Sequence, residues 1–392
     1  MNLFSEEGRR NPYPLYEELR QAAPVLHVPA FDAWLVLDYA DVKRVLSDPD
    51  AFSSKLGPRW MIFSDPPRHT KLRALVSRAF SSQVVTSLEG RIRQLSRGLL
   101  DAMSPRGEVD LAADFSIPLP MMVIAEMLGV ADTDRPRLKR WSDAALGISL
   151  DLLGNADGTR ALQEFAAATA EMDVHLAAQI EQRRSKPHDD LLARLIEAEV
   201  DGERLSREEI LGFFQLLLVG GQETTTHLIN NAMLAFLEHS SELARLRSAP
   251  ELLPAAIEEV LRHRSPFQWT PRVTRRDTEL SGSRIPAGKR VLAMLGAANR
   301  DPKQFRDPKR FDAARDPNSH LAFGHGIHFC LGAQLARAEA RIALGELLER
   351  WKSFERVSDA PWTPGKAIHV LGPARLPIRF EPADRVGAER MA

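Results

Sequence analysis

The residue with the clearest chemical potential is the single cysteine of the chain, Cys330. It lies in Phe323-Gly-His-Gly-Ile-His-Phe-Cys-Leu-Gly332, with two glycines ahead of it and Gly332 just before a predicted helix. Glycine permits positive φ and lets the backbone approach another body closely. The start of a helix favours a thiolate through its free N–H groups and its dipole. A lone cysteine is ordinarily a small, inert core residue; the glycine pattern points instead to a metal ligand. With one cysteine an intrachain disulfide is impossible, and a reducing compartment is the simplest reading.

Other spacings invite chemistry. Leu218-Val-Gly-Gly-Gln-Glu-Thr-Thr-Thr226 falls inside a long predicted helix. There Gly220 and Gly221 each cost about 1 kcal/mol relative to alanine. Close packing of a second helix, or of a flat ligand, would offset that cost. Thr224 is spaced to bond the carbonyl of Gly220 and open the helix locally. His69 and Arg73, in Asp65-Pro-Pro-Arg-His-Thr-Lys-Leu-Arg73, share a helical face at i and i+4. Two such donors suit an anionic group; an exposed basic face is the alternative. Glu259 and Arg262 stand at i and i+3, a spacing that usually makes a solvated contact of little energy. In Pro271-Arg-Val-Thr-Arg275, Arg275 and the following Arg276 are expected to face solvent.

Phe323, Gly324, Gly326, His328, Cys330 and Gly332 match, position by position, the heme-binding loop of the cytochrome P-450 family. The segments that resemble that family are spread from about residue 65 to 332, so the resemblance covers nearly the whole chain. The resemblance implies heme b (iron protoporphyrin IX) with Cys330 as the proximal thiolate, Phe323 beside the heme, and His328 reaching a propionate. It makes His69 and Arg73 donors to a propionate and Arg272 a donor to the other. It places Gly220 and Gly221 in an oxygen-binding groove, Gly220 standing where alanine is common. Thr224 would hydrogen-bond the oxygen being activated, and Glu223 would help relay protons. Glu259 and Arg262 become a buried structural pair joined by an arginine from the irregular segment before the cysteine loop. Pro308-Lys-Arg-Phe311 matches that partner, which selects Arg310, with Arg315 second.

The implied activity is a monooxygenase, inserting one atom of O2 into an organic substrate by hydroxylation or epoxidation. Trp60, Met61 and Ile62 belong to a loop that covers the distal pocket in the family. Leu217, Phe267, Gln268, Val370 and Leu371 are further candidate contacts by position. Most are apolar, which suits a medium-to-large hydrophobic substrate. No flavin or NAD fingerprint accompanies the heme signature, so a separate ferredoxin or flavodoxin with its NAD(P)H-dependent reductase is implied. The alternatives are an H2O2-driven peroxygenase and a non-catalytic heme-thiolate gas sensor. The Glu223–Thr224 pair favours the O2 route by resemblance, and no second axial ligand is evident at Gly220–Gly221.

Helical periodicity dominates the elements that must carry these residues. Helices are expected from Pro14 to Ala22, Asp41 to Leu46, Arg68 to about Met103, Ile117 to Leu128, Arg135 to Ile148 and Ala161 to Arg184. A long one runs from a capping box at Ser206–Glu209 towards Phe236, followed by Leu252 to His263 and Leu331 to Trp351. Strands are expected in Pro24–Leu37, Trp269–Leu295 and before Phe380. The fold class is mainly α with small β-sheets (α+β), as one domain over residues 1–392. By the resemblance, heme lies between the long central helix and the cysteine loop with its helix.

Of all residues 44% are hydrophobic and 27% charged, which suits a globular protein with a large core. With 52 Lys and Arg against 53 Asp and Glu, nothing calls for a nucleic acid or an anionic membrane as partner. The opening stretch has no basic-then-apolar leader, and no apolar run is long enough to span a bilayer. A cytoplasmic monomer is expected.

Overall fold

The structure is a computed structural model that describes residues 3, 5–29, 32–58, 60–130, 134–148, 156–186 and 188–383. Two short helices, α1 (Glu6–Arg10) and α2 (Tyr13–Ala22), precede the hairpin β1 (Val25–Val28) and β2 (Ala33–Val36). Then follow α3 (Tyr39–Ser47), β3 (Phe52–Ser53), α4 (Arg68–Ala79), α5 (Ser82–Met103), β4 (Glu108–Asp110), α6 (Pro118–Met127), α7 (Arg135–Gly147), α8 (Ala156–Ser185) and α9 (Leu191–Glu197). After the small hairpin β5 (Glu199–Val200) and β6 (Glu203–Arg204) comes α10 (Arg207–Glu238), the longest helix among the described residues, then α11 (Ser240–Ser248) and α12 (Leu253–His263). Four strands, β7 (Thr270–Thr274), β8 (Thr278–Leu280), β9 (Ser283–Ile285) and β10 (Arg290–Ala293), lead to α13 (Leu295–Ala298) and α14 (Ala333–Arg350). The chain closes with β11 (Trp351–Arg356) and β12 (Pro377–Pro382).

The expected helix over 68–103 is two helices, because Phe80 leaves the helical region and Ser81 is extended. A five-stranded sheet has the order β1-β2-β10-β7-β3, parallel only between β2 and β10. A three-stranded sheet orders β11-β12-β4. No helix of the described residues is long and apolar enough to cross a membrane.

Helix α10 organises the rest. Its capping box is made in both directions, Glu209 N donating to Ser206 Oγ at 3.2 Å and Ser206 N to the Glu209 carboxylate at 3.0 Å. Beyond its first turn it is buried on most sides, against α6, α7, α12 and α14. A helix apolar all round is a core helix, and the main core of the protein is built about this one. The face that stays open carries Leu217, Gly220 and Thr224, which recur at helical spacing.

Helix α12 is held to the irregular segment before the cysteine loop by Glu259 and Arg262, both fully buried. Arg262 makes a double contact with Glu259 at 2.7 and 2.8 Å and donates to the carbonyls of Asn299, Pro308 and Arg310. The third member is Arg315, whose Nε lies 3.1 Å from each carboxylate oxygen of Glu259. This corrects the choice of Arg310. Positive φ at Asp307 starts a turn that brings the main-chain carbonyl of Arg310 to Arg262, and its own guanidinium has no part in the cluster.

Candidate functional site

The cysteine loop is a tight turn closed on itself. Gly324 and Gly326 take φ of +74° and +69°. Cys330 N donates to Phe323 O at 2.9 Å, and Gly324 N to Leu321 O at 2.8 Å. Gly326 also meets α3: a Cβ there would lie 2.8 Å from Leu46 O. So only glycine fits, on both conformational and steric grounds. Beneath the loop, the Arg337 guanidinium covers the Phe323 ring at 4.5 Å and is bonded to Glu258.

Cys330 keeps accessible surface, yet protein atoms surround it closely enough that burial pushes its thiol pKa up, opposed by the Gly332 N–H, Arg73 and Arg337. Accessible surface amid dense surroundings marks a residue that faces an internal cavity. An isolated thiol is held neutral there, and a metal cation replacing the proton would remove that cost.

Around this thiol, α4, β7 and the loop bring four donors together. His69 is buried, and neither ring nitrogen has a partner. Burial and the nearby Arg73 lower its pKa, which favours the neutral ring. The His328 ring stands 4.1 Å from it, bonds Ser54 Oγ at 3.0 Å, and is pushed down to about 3 by burial and by Arg272. Arg272 is 5% exposed, and its side chain bonds only Pro271 O and Thr270 Oγ1, within its own strand. Burial brings its pKa to about 10. Asp65 offers no relief, since it is taken up by Ser53, Ser54 N and Arg275; Arg275 is exposed, as expected, apart from that contact.

Buried donors without acceptors are costly. Two histidines and two arginines about one cavity call for a ligand with separate carboxylates. The two propionates of heme b would answer that demand, and Cys330 would supply a thiolate ligand to its iron. The donors and the thiol therefore fit the group, with His69, Arg73, Arg272 and His328 as the side chains that would hold its propionates.

On the other wall the two glycines of α10 differ. Gly221 packs on α6, where a Cβ would meet Ile124 Cδ1 at 2.7 Å; nothing lies within 4 Å of one on Gly220. Close helix packing therefore accounts for Gly221 and open space for Gly220. Thr224 donates to Gly220 O at 2.6 Å. Its donor is thus engaged, and its oxygen lone pairs remain as acceptors. Glu223 is largely buried and bonds His227 Nε2 at 3.3 Å, which excludes an exterior salt bridge.

The pocket candidates divide. Ile62, Leu217 and Phe267 retain accessible surface. Trp60 and Met61 are buried, and Trp60 Nε1 donates to Gln215 on α10 at 2.8 Å, which pins their loop across that helix. Gln268, Val370 and Leu371 are buried. Gln268 accepts from the Tyr16 hydroxyl, donates to Ser265 O and lies against Gly296. Val370 packs behind Phe267 with Leu146 and Val219, and Leu371 N is bonded to Pro266 O. The antiparallel bridge between Phe267 and Val370 puts those two side chains on the same face. Sequence reasoning missed His227, His369 and Arg9, which surround Glu223; the i, i+4 spacing of Glu223 and His227 was the available signal.

Comparison with known proteins identifies the family. Residues 32–374 match the family described as Cytochrome P450. The chain is 40% identical to cytochrome P450 monooxygenase PikC of Streptomyces venezuelae, over 99% of this chain and 95% of that one. Among solved structures, cytochrome P450 CYP109Q5 from Chondromyces apiculatus superposes with a TM-score of 0.90 at 39% identity, covering 98% of each chain. CYP109E1 from Bacillus megaterium, in complex with testosterone, does so at 0.86 and 40% identity, covering 94% of this chain and 99% of that one. A thiol in a glycine turn, buried donors gathered beside it and a helix face left clear at Gly220 accord with that kinship: the chain belongs to the cytochrome P450 family of heme monooxygenases.

Proposed function

We propose that this protein oxidises a medium-to-large, uncharged hydrophobic substrate, with Thr224 and Glu223 handling oxygen and protons. Heme b supplies the activation of O2 and the insertion of one oxygen atom. The residues of this chain set the rest. Cys330 would hold the heme iron, and the donors of α4, β7 and the loop would hold its propionates. Thr224, its own hydrogen spent on Gly220 O, accepts a hydrogen bond from the cavity side. Glu223, buried beside it, delivers protons. The observation that carries the reading is this open Gly220–Thr224 step on a helix otherwise packed on most sides.

The substrate class rests on Ile62, Leu217 and Phe267, apolar side chains with free surface. That a relative 40% identical takes up testosterone agrees with a cavity of such size. Electrons come singly from a ferredoxin or flavodoxin with its NAD(P)H-dependent reductase, in the cytoplasm, to a monomer whose residues 1–392 form one domain. The test is the ratio of product to NAD(P)H consumed, with a surrogate ferredoxin system. Candidate substrates are first found by spectral shift among steroids, terpenoids, fatty acids and macrolides. Thr224→Ala should retain heme and substrate binding, lose product and release more H2O2. Equal coupling in variant and parent removes Thr224 from this role.

A further inference from the structure

Glu223 begins a polar row along α10. At successive i, i+4 steps come His227 and Asn231, which places all three side chains on one face. His227 Nε2 bonds Glu223 Oε1 at 3.3 Å, while His227 Nδ1 is buried without a partner. Asn231 Nδ2 donates to Arg264 O and Leu371 O, both at 3.0 Å, and its Oδ1 has no partner. Arg264 and Leu371 in turn line a cavity of about 480 Å³ that also takes in Arg300 and Arg356. The row thus joins the heme side of α10 to a basin near the far end of the helix.

The chain is shaped around the middle member. The segment 364–373 folds over His227 through two glycines paired with each other, Gly365 N donating to Gly372 O at 3.3 Å. A Cβ on Gly372 would lie 2.2 Å from His227 Nδ1, and one on Gly365 would lie 3.1 Å from Nε2 and 3.3 Å from Glu223 Oε1. Arg9 of α1 holds this segment through Gly365 O and Ala367 O. The charged and titratable groups facing Glu223 are His227, Lys139 of α7, His369 and Arg9.

We propose that His227 is a proton relay that feeds Glu223 from this second cavity. The inference rests on Glu223 being the proton donor of the reaction. In each transfer, neutral His227 with its hydrogen on Nε2 takes a second proton at Nδ1 from water admitted along Asn231. The imidazolium so formed gives its Nε2 proton to the Glu223 carboxylate. The hydroxide left in the basin is stabilised by its arginines until solvent neutralises it. One proton enters at Nδ1 and one leaves at Nε2, which leaves the hydrogen on Nδ1; water-mediated exchange of that hydrogen restores the starting tautomer before the next transfer.

The experiment compares parent, His227→Asn and Glu223→Gln holoenzymes. Infrared difference spectra of the resting protein identify the Glu223 carboxyl band by its loss in Glu223→Gln. In His227→Asn that band should persist to higher pH, because the hydrogen bond and charge that favour the carboxylate are gone. With heme content and substrate-induced spectral shift retained, product formation should slow by about 10-fold or more, and the H2O/D2O rate ratio should rise. A hydrogen bond that merely positions Glu223 would shift the band but leave the isotope ratio unchanged, and that result overturns the proposal. Slow turnover in Glu223→Gln with parental turnover in His227→Asn overturns the relay while sparing Glu223. Parental turnover in both overturns the two together. Should His227→Asn lose heme, His227→Gln is read by the same measurements.

Discussion

Arg315 Nε is equidistant from the two carboxylate oxygens of Glu259, at 3.1 Å from each. The same carboxylate accepts from Arg262, from Asp312 N at 3.0 Å and from Asn318 at 3.2 Å. Removing one member of a buried ionic cluster leaves the remainder uncompensated, at a cost of about 3–5 kcal/mol. Arg315→Leu should therefore lower stability and heme retention on that scale. Arg310→Ala, which leaves the main-chain carbonyl in place, should stay within about 0.5 kcal/mol of the parent. Chemical denaturation of both variants, with heme content by absorbance, decides between the two arginines.

Cys330 is the only cysteine. The reduced, CO-treated protein should show the red-shifted Soret band of thiolate ligation, and Cys330→Ser should abolish it. No second thiol can take its place, so a serine variant with an unaltered thiolate spectrum would refute the assignment.

The adjacent glycines of α10 should respond differently to alanine. In each, the helix gains about 1 kcal/mol of propensity. At Gly221 the added methyl meets Ile124 Cδ1 at 2.7 Å, whereas at Gly220 it enters open space. Overpacking costs about 1–3 kcal/mol, so Gly220→Ala should have the higher Tm. It should also weaken the spectral shift of large substrates, since its methyl occupies the cavity. Equal Tm values would mean that the α6–α10 contact yields without cost.

Glu339 on α14 is buried, its Oε2 has no partner, and burial raises its pKa to about 8 from an ordinary 4.5. The native protein thus holds this acid protonated where the unfolded chain ionises it. Its contribution to stability is full below about pH 4.5 and is lost as pH rises towards about 8. Glu339→Gln removes the titration. The stability of the variant relative to the parent should climb with pH across that window, by at most about 1.4 kcal/mol per unit. Denaturation at pH 5, 6.5 and 8 measures the slope; a flat difference would mean that Glu339 is ionised in the native protein.

The chemistry of the site was largely legible in the sequence because it is local. Cys330 sits in one short glycine-marked turn, and His69 with Arg73, or Glu259 with Arg262, are fixed by helical spacing alone. The choice between Arg310 and Arg315 was not legible, since a left-handed turn at Asp307 decides which guanidinium reaches Glu259. The partners of Gln268, the Tyr16 hydroxyl and Ser265 O, were not legible either, since Tyr16 lies 252 positions away in the chain. His227 gains its meaning only when the 364–373 segment closes over α10.

The turn around Cys330 is pressed against α3 at Gly326, and His328 is bonded to Ser54 across 274 positions of chain. Drawing together ends so far apart carries an entropic cost that grows with the intervening length, and contacts of this separation slow folding. As the protein emerges from the ribosome, the α3 side waits while the whole helical body is synthesised. The thiol turn is therefore among the last parts to set, and cofactor capture becomes a late event that locks both ends of the polypeptide at once.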